Sequence, residues 1–288
     1  MSELTIGDVS DTSFWVAYYR AKETERSDAL FRDPFAKILI GEKGHKISES
    51  MPQVSRYTEW SVISRTVIID RFIEKAIQEG VDTILNLGAG LDSRPYRMKL
   101  PSDLEWIEAD YPNIIRHKSE LLKSETPTCR LTRVEIDLAD DVKRREFLKS
   151  VNQKARKVLV ITEGVIPYLS PEEVTELGYD LLAQKSFLYW ITEYFDPRVY
   201  KYLRNTVRAA KLKNAPFKFY PDNWNGFFKN LGWVEKETRF GFEIAREFKR
   251  TPPMPLVAKL MMPFMSKKMK REAAQMAGYM IFTRGNSN

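Results

Sequence analysis

Thr83-Ile84-Leu85-Asn86-Leu87-Gly88-Ala89-Gly90 is a short apolar run that breaks into a glycine turn. A run of this length bounded by turn residues predicts a buried strand. Downstream, the same texture recurs between amphipathic stretches. Leu104–Ala109 predicts a second strand ending at Asp110, and Leu131–Ile136 a third ending at Asp137. Lys157–Thr162 is nearly continuously apolar, as a central strand covered on both faces must be. Phe187–Thr192, Trp233–Phe240 and Gly278–Thr283 complete the set. Ile114, Ile115, Leu121 and Leu122 mark one intervening helix, and Pro171 with Glu172 and Glu173 opens another. Upstream, Phe14, Trp15, Tyr18 and Tyr19 recur at helical spacing. So do Val62, Ile63, Thr66, Val67, Ile69, Phe72, Ile73, Ala76 and Ile77, until Gly80 stops the helix.

Strand–helix alternation at this spacing predicts an α/β fold, a doubly wound and mostly parallel sheet with right-handed crossovers. We expect a helical N-terminal cap over residues 1–80 and an α/β domain over 81–288. Ligands of such sheets lie outside the carboxyl ends of the strands. Those ends carry Gly88 and Gly90, Asp110, Asp137 and Glu163. Glycines let backbone amides approach a ligand, and an acid ending the second strand is placed to accept from ribose hydroxyls. Each acid alone also reads as a helix N-cap. Together they describe a nucleoside across the top of the sheet.

A dinucleotide fingerprint requires glycine or alanine three residues after Gly90, where this chain has Ser93. Asp92 beside the turn would repel a pyrophosphate and suit a cationic ligand. No lysine followed by serine or threonine comes after the turn, so the phosphate-loop pattern is absent. A phosphate-free nucleoside, S-adenosylmethionine, fits better than a nicotinamide dinucleotide.

The run Asn86-Leu87-Gly88-Ala89-Gly90-Leu91-Asp92-Ser93-Arg94-Pro95-Tyr96-Arg97 closely resembles the glycine motif of the leucine carboxyl methyltransferase family, which includes tetracenomycin-type polyketide O-methyltransferases. Tyr19–Glu23, Phe31–Ala36, Arg65, Glu108–Pro112, Asp137-Leu138 and Glu163–Leu169 extend the resemblance over residues 10–180. The resemblance implies a class I methyltransferase fold with an antiparallel last strand, and S-adenosylmethionine as donor. It implies that Arg65 pairs with the donor carboxylate, that Gly88, Ala89 and Gly90 underlie its methionine portion, and that Asp110 holds the ribose. Asp137 and Leu138 would meet the adenine, and Glu163 the ammonium and sulfonium region. Arg94 and Arg97 read instead as braces of the turn against Asp92. The implied reaction is O-methylation of a carboxylate or hydroxyl. A carboxylate, with an ordinary pKa near ~4, needs no general base. Tyr168 is the first candidate for orienting an acceptor, followed by Tyr19 and Arg20. The expected acceptor is a small molecule, with a protein C-terminal carboxylate as the alternative.

Composition narrows the classes further. Six Trp, thirteen Tyr and sixteen Phe supply ample core for 288 residues. Cys129 stands alone and fits a reducing cytoplasm, and with only His45 and His117 beside it no zinc site is expected. Eight of the 46 basic residues lie between Arg246 and Arg271 against Glu247 alone, leaving 38 of each sign elsewhere. A nucleic-acid partner is therefore not expected, and Val165-Ile166-Pro167-Tyr168 lacks the polar acceptor that amine methylation requires. The basic segment also holds five Met and four Pro. It reads first as a solvated insertion whose apolar side packs on the body, and second as an adaptable wall or entrance for an apolar or anionic substrate. Two other classes stay open, a non-catalytic nucleoside-binding scaffold and an NAD-linked oxidoreductase. Trp224, Phe227 and Phe228 suit either an acceptor pocket or the core.

Overall fold

The computed structural model describes residues 11–49, 55–204, 216–250 and 260–285. Its strands are β1 Thr83–Leu87, β2 Glu105–Asp110, β3 Arg130–Glu135, β4 Val158–Ile161, β5 Phe187–Phe195, β6 Trp233–Phe240 and β7 Ala277–Arg284. They form one sheet in the order β3-β2-β1-β4-β5-β7-β6. The first five pair in parallel, and β7 lies antiparallel between β5 and β6. The doubly wound sheet and its reversed last strand are therefore as expected. β5 runs three residues beyond the predicted end because β7 pairs with it as far as Phe195 opposite Ala277.

Eleven α-helices are described. α1 Asp11–Thr24, α2 Pro34–Glu49 and α3 Ser55–Gln78 precede the sheet. α4 Arg94–Arg97, α5 Pro112–Leu121, α6 Asp141–Lys154, α7 Pro171–Leu182 and α8 Pro197–Arg204 follow within it. α9 Trp224–Asn230, α10 Gly241–Glu247 and α11 Lys267–Ala274 complete the described set. Sequence chemistry accounts for several ends. Ser170 and Glu173 cap α7 reciprocally with Pro171 in the first turn. Gly80, at φ +90°, turns the chain out of α3 while the Val81 amide donates to the Ala76 carbonyl.

Alternation along the strands divides the core. Leu85, Leu87, Val158, Val160, Met280 and Phe282 face α6, α7 and α9. Ile84, Leu159, Ile161, Tyr279 and Ile281 face α3 and α10. α3, assigned to the cap by the sequence reading, thus packs directly on the sheet, while α1 and α2 build a separate apolar cluster around Trp15, Tyr19 and Leu39. Trp190 centres the first cluster, edge-on to Phe228 and Trp233, and its indole N–H donates to Thr162 Oγ1 at 2.9 Å. Trp224 and Phe228 are buried in that cluster and Phe227 packs against it, so these three are core and not a pocket wall.

One polar group is sealed within the sheet's edge. Lys118 Nζ and Glu108 Oε1 meet at 2.7 Å with both side chains fully buried, and Arg133 Nε takes the other oxygen at 3.0 Å. Removing one partner leaves an uncompensated buried charge. Glu108→Ala should therefore lower the unfolding free energy by about 3–5 kcal/mol, measured by urea denaturation.

Candidate active site

A cavity of about 500 Å³ opens at the carboxyl ends of β1 to β4, with α1 and α3 across its mouth. That volume is in the range of small-molecule sites. Gly88, Ala89, Gly90, Asp110, Leu138 and Glu163 line it from the sheet, and Arg20, Arg65 and Tyr168 also reach it. Gly88 sits at φ +68°, and a Cβ there would lie 2.5 Å from Val165 Cγ2. Gly90 is at φ +49° with Ser13 of α1 above it. Only glycine tolerates that combination of backbone and proximity at residue 88.

Asp110 ties the turn to the second strand. Its two oxygens accept from the Gly90 amide at 2.6 Å and the Tyr111 amide at 2.7 Å. Burial nevertheless pushes its carboxyl above the ordinary value. Each oxygen retains a second acceptor direction.

Behind the turn lies an ionic bridge. Arg94 is 1% exposed, and its Nε meets Asp70 of α3 at 2.7 Å. Its Nη1 meets both Asp92 and Glu163 at 2.8 Å. Arg97 adds a bidentate contact to Asp70. Despite burial, which alone would raise them, the guanidinium ions hold the Asp70, Asp92 and Glu163 carboxyls below their ordinary values. Arg94 thus braces the turn against Asp92, as read from the sequence, whereas Arg97 pairs with Asp70 and not with Asp92. Asp92 is corrected in one respect. Its charge is compensated by Arg94, so it anchors the turn and does not present a free anion to a ligand.

Arg65 of α3 meets Glu163 Oε1 at 2.8 Å, so the cation and the anion expected at the donor's charged end are paired with each other. Two expected residues lie off the cavity. Tyr19 is 1% exposed and its hydroxyl accepts from Trp15 Nε1 at 2.8 Å, because helical spacing turns both onto the cap core. Asp137 is exposed and turns its carboxylate back onto the Ala139 amide at 2.9 Å, leaving Leu138 to line the cavity. Arg20 reaches the cavity, but its Nε pairs with buried Asp33 at 3.0 Å and it donates to the Leu91 carbonyl. Its guanidinium joins the cap to the turn.

The structure adds residues that the sequence reading passed over. Asp70 and Asp33 complete the ionic bridge, and Lys218 lines the cavity near Tyr168, whose ring meets Phe217 edge-on at 5.1 Å. A lone acid inside the apolar run Val67–Ile73 was the available signal for Asp70. Glu193, an acid within strand β5, accepts from the Gly164 amide and is 3% exposed. The basic segment contributes nothing to the cavity through its described residues 246–250 and 260–271, and its Leu260, Met261, Phe264 and Met269 are exposed where packing on the body was expected. Met254 and Lys259 fall outside the described residues. Arg250 instead reaches the Glu23 carboxylate of α1 and lies over the Trp60 ring.

Two outcomes follow from this geometry. A lysine at residue 94 supplies one compact charge where a planar fork spans three carboxylates. Arg94→Lys should cost about 3 kcal/mol in denaturant unfolding, comparable to breaking a buried pair. Burial pushes Glu193 from 4.5 up to about 7, with Glu163 adding to the shift and Gly164 and Arg65 opposing it. The native state then holds a proton that the unfolded chain releases, so this contribution to stability is lost as pH rises from about 4.5 to about 7. Unfolding of Glu193→Gln compared with the parent at each pH should show the difference moving in the variant's favour across that window.

Comparison with known proteins agrees with this architecture. A protein of Mycobacteroides abscessus, provisionally named an S-adenosyl-L-methionine-dependent methyltransferase, is 32% identical over 187 residues. The match spans 60% of this chain and 61% of the relative's own length. The crystal structure of a DUF574-family protein from Streptomyces avermitilis shares the fold at TM-score 0.53 and 14% identity, covering 93% of this chain and 96% of that one. A provisionally assigned methyltransferase from Thermobifida fusca does so at TM-score 0.51 and 14% identity, covering 93% and 94%. The family model for leucine carboxyl methyltransferase matches residues 13–180, more than half of the 288, with the glycine turn, the Arg94 bridge and the end of β4 all inside the match. The chain belongs to the leucine carboxyl methyltransferase family.

Proposed function

We propose that this chain is an S-adenosylmethionine-dependent O-methyltransferase acting on the carboxylate, or a hydroxyl, of a small molecule. The observation that carries this reading is the convergence of Gly88, Gly90, Asp110 and the Arg65–Glu163 pair on one cavity at the strand ends. The residues fit the donor. Gly88, Ala89 and Gly90 border the cavity with no side chain larger than a methyl group, Asp110 has acceptor directions left for ribose hydroxyls, and Leu138 offers an apolar surface to a base. Arg65 would hold the carboxylate of the donor's amino-acid portion by charge-assisted hydrogen bonds, and Glu163 its ammonium. When bound, the donor supplies an electrophilic methyl group on a sulfonium.

The chain's own part is positioning and exclusion of water. A carboxylate acceptor arrives already ionised, so the absence of a histidine from the cavity-lining set is compatible with this chemistry. Tyr168 and Lys218 are the side chains assigned to hold the acceptor. Tyr168 offers a hydroxyl and Lys218 a cation, and both border the cavity. Arg20, committed to Asp33, is assigned a bracing role. The small-molecule preference follows from the cavity's size, which suits a compact acid beside the donor.

The test is calorimetric titration with S-adenosylhomocysteine, with NAD as control. Saturable binding of the first and none of the second is expected. Arg65→Ala should weaken binding by about tenfold or more, as loss of a charge-assisted contact does. Binding of NAD, or no binding by a folded protein, overturns the reading. Binding without turnover over a panel of carboxylic and phenolic acceptors would favour a scaffold. An acceptor that turns over should give a hydroxide-labile methyl ester if the oxygen is a carboxylate.

A further inference from the structure

We propose that the segment 260–271 is a docking surface for an anionic phospholipid bilayer. Four of its apolar side chains face outward. Phe264 is 90% exposed, Leu260 64%, Met261 57% and Met269 50%. Among the described side chains from 260 to 271, Met265 alone is half-buried and the rest are exposed. The same stretch carries Lys267, Lys268, Lys270 and Arg271 and no acid. None of these four pairs with a carboxylate among the described residues, whereas cations such as Arg97, Lys118, Arg144 and Arg250 do.

The surface is held out as a unit. Ser266 Oγ accepts from the Met269 amide at 3.2 Å and caps α11, which carries no buried residue. Glu272, next in line, turns toward Arg198 at 3.5 Å and leaves the four cations uncompensated. α11 runs directly into β7, so the patch is anchored to the sheet.

Charge complementarity selects the partner. A cluster of cations beside exposed apolar side chains matches a bilayer interface, where headgroups supply negative charge and the acyl boundary takes the apolar groups. Each basic residue near such a surface strengthens binding about fivefold. A second copy of this chain would bring four like charges against four and is disfavoured. Single-stranded nucleic acid calls for stacking platforms, and the patch offers one aromatic ring among aliphatic and thioether side chains. No helix among the described residues is long and apolar enough to cross a membrane. The contact proposed lies on the surface.

The experiment is cosedimentation of the full chain with vesicles of phosphatidylcholine alone, or of equal parts phosphatidylcholine and phosphatidylglycerol. Binding to the mixed vesicles alone, released by added salt, is expected. A triple variant, Lys267→Glu, Lys268→Glu and Lys270→Glu, should lose at least about 100-fold in affinity. Phe264→Ser should lose about tenfold and keep the salt dependence, since it removes buried apolar area and no charge. Unchanged circular dichroism in both variants shows that the fold is intact. No partition onto the mixed vesicles overturns the proposal, as does binding that neither variant alters. Binding indifferent to Phe264→Ser and equally competed by RNA would identify a general polyanion patch and also overturn it. So would self-association in sedimentation velocity that Phe264→Ser abolishes.

Discussion

The rest of the site hangs on one buried guanidinium. Arg94 joins α3 through Asp70, the glycine turn through Asp92 and the end of β4 through Glu163, all at 2.7–2.8 Å. Burying a cation is costly unless its donors are matched, and a planar fork matches three carboxylates where a point charge does not. Arg97 on Asp70 and Arg20 on Asp33 extend the same arrangement toward the cap. The backbone of the turn, with residues 88 and 90 at positive φ, is thereby held by charge from behind while Gly88, Ala89 and Gly90 border the cavity.

This explains how a cavity can carry charge without collapsing. Glu163 is shared between Arg94 and Arg65, so its charge is compensated from both sides. A ligand with both a carboxylate and an ammonium offers each member of the Arg65–Glu163 pair a replacement partner. Such an exchange gives each ligand charge an opposite partner, whereas a neutral site would leave both desolvated and uncompensated. Glu193, behind the Gly164 amide, is not compensated to the same degree, and burial keeps its proton on up to about 7.

Much of this was legible in the residues. The glycine turn, the acids ending β2 and β4, and the bracing of the turn by Arg94 against Asp92 follow from local pattern and short-range charge. Other residues were ambiguous because one spacing served two outcomes. Tyr19 and Arg20 are neighbours on α1, yet Tyr19 points into the cap core and Arg20 toward the turn. Trp224 and Phe228 looked as suitable for a pocket as for a core, and the packing around Trp190 decided for the core. Asp137 ends its strand as Asp110 does, but its carboxylate folds back onto Ala139.

By itself the sequence determined the α/β alternation, the turn and the chemical type of each strand end, because strand period, glycine placement and helix capping act over a few residues. Only the tertiary structure decided which charges pair. Asp70 and Glu163 are distant along the chain and meet on Arg94 because α3, β1 and β4 are brought together by the sheet order. The same holds for α3, whose apolar face is matched to the sheet while its Val62 joins the cap cluster. Long-range partners are selected by packing and desolvation, and neither is encoded in any single stretch of residues.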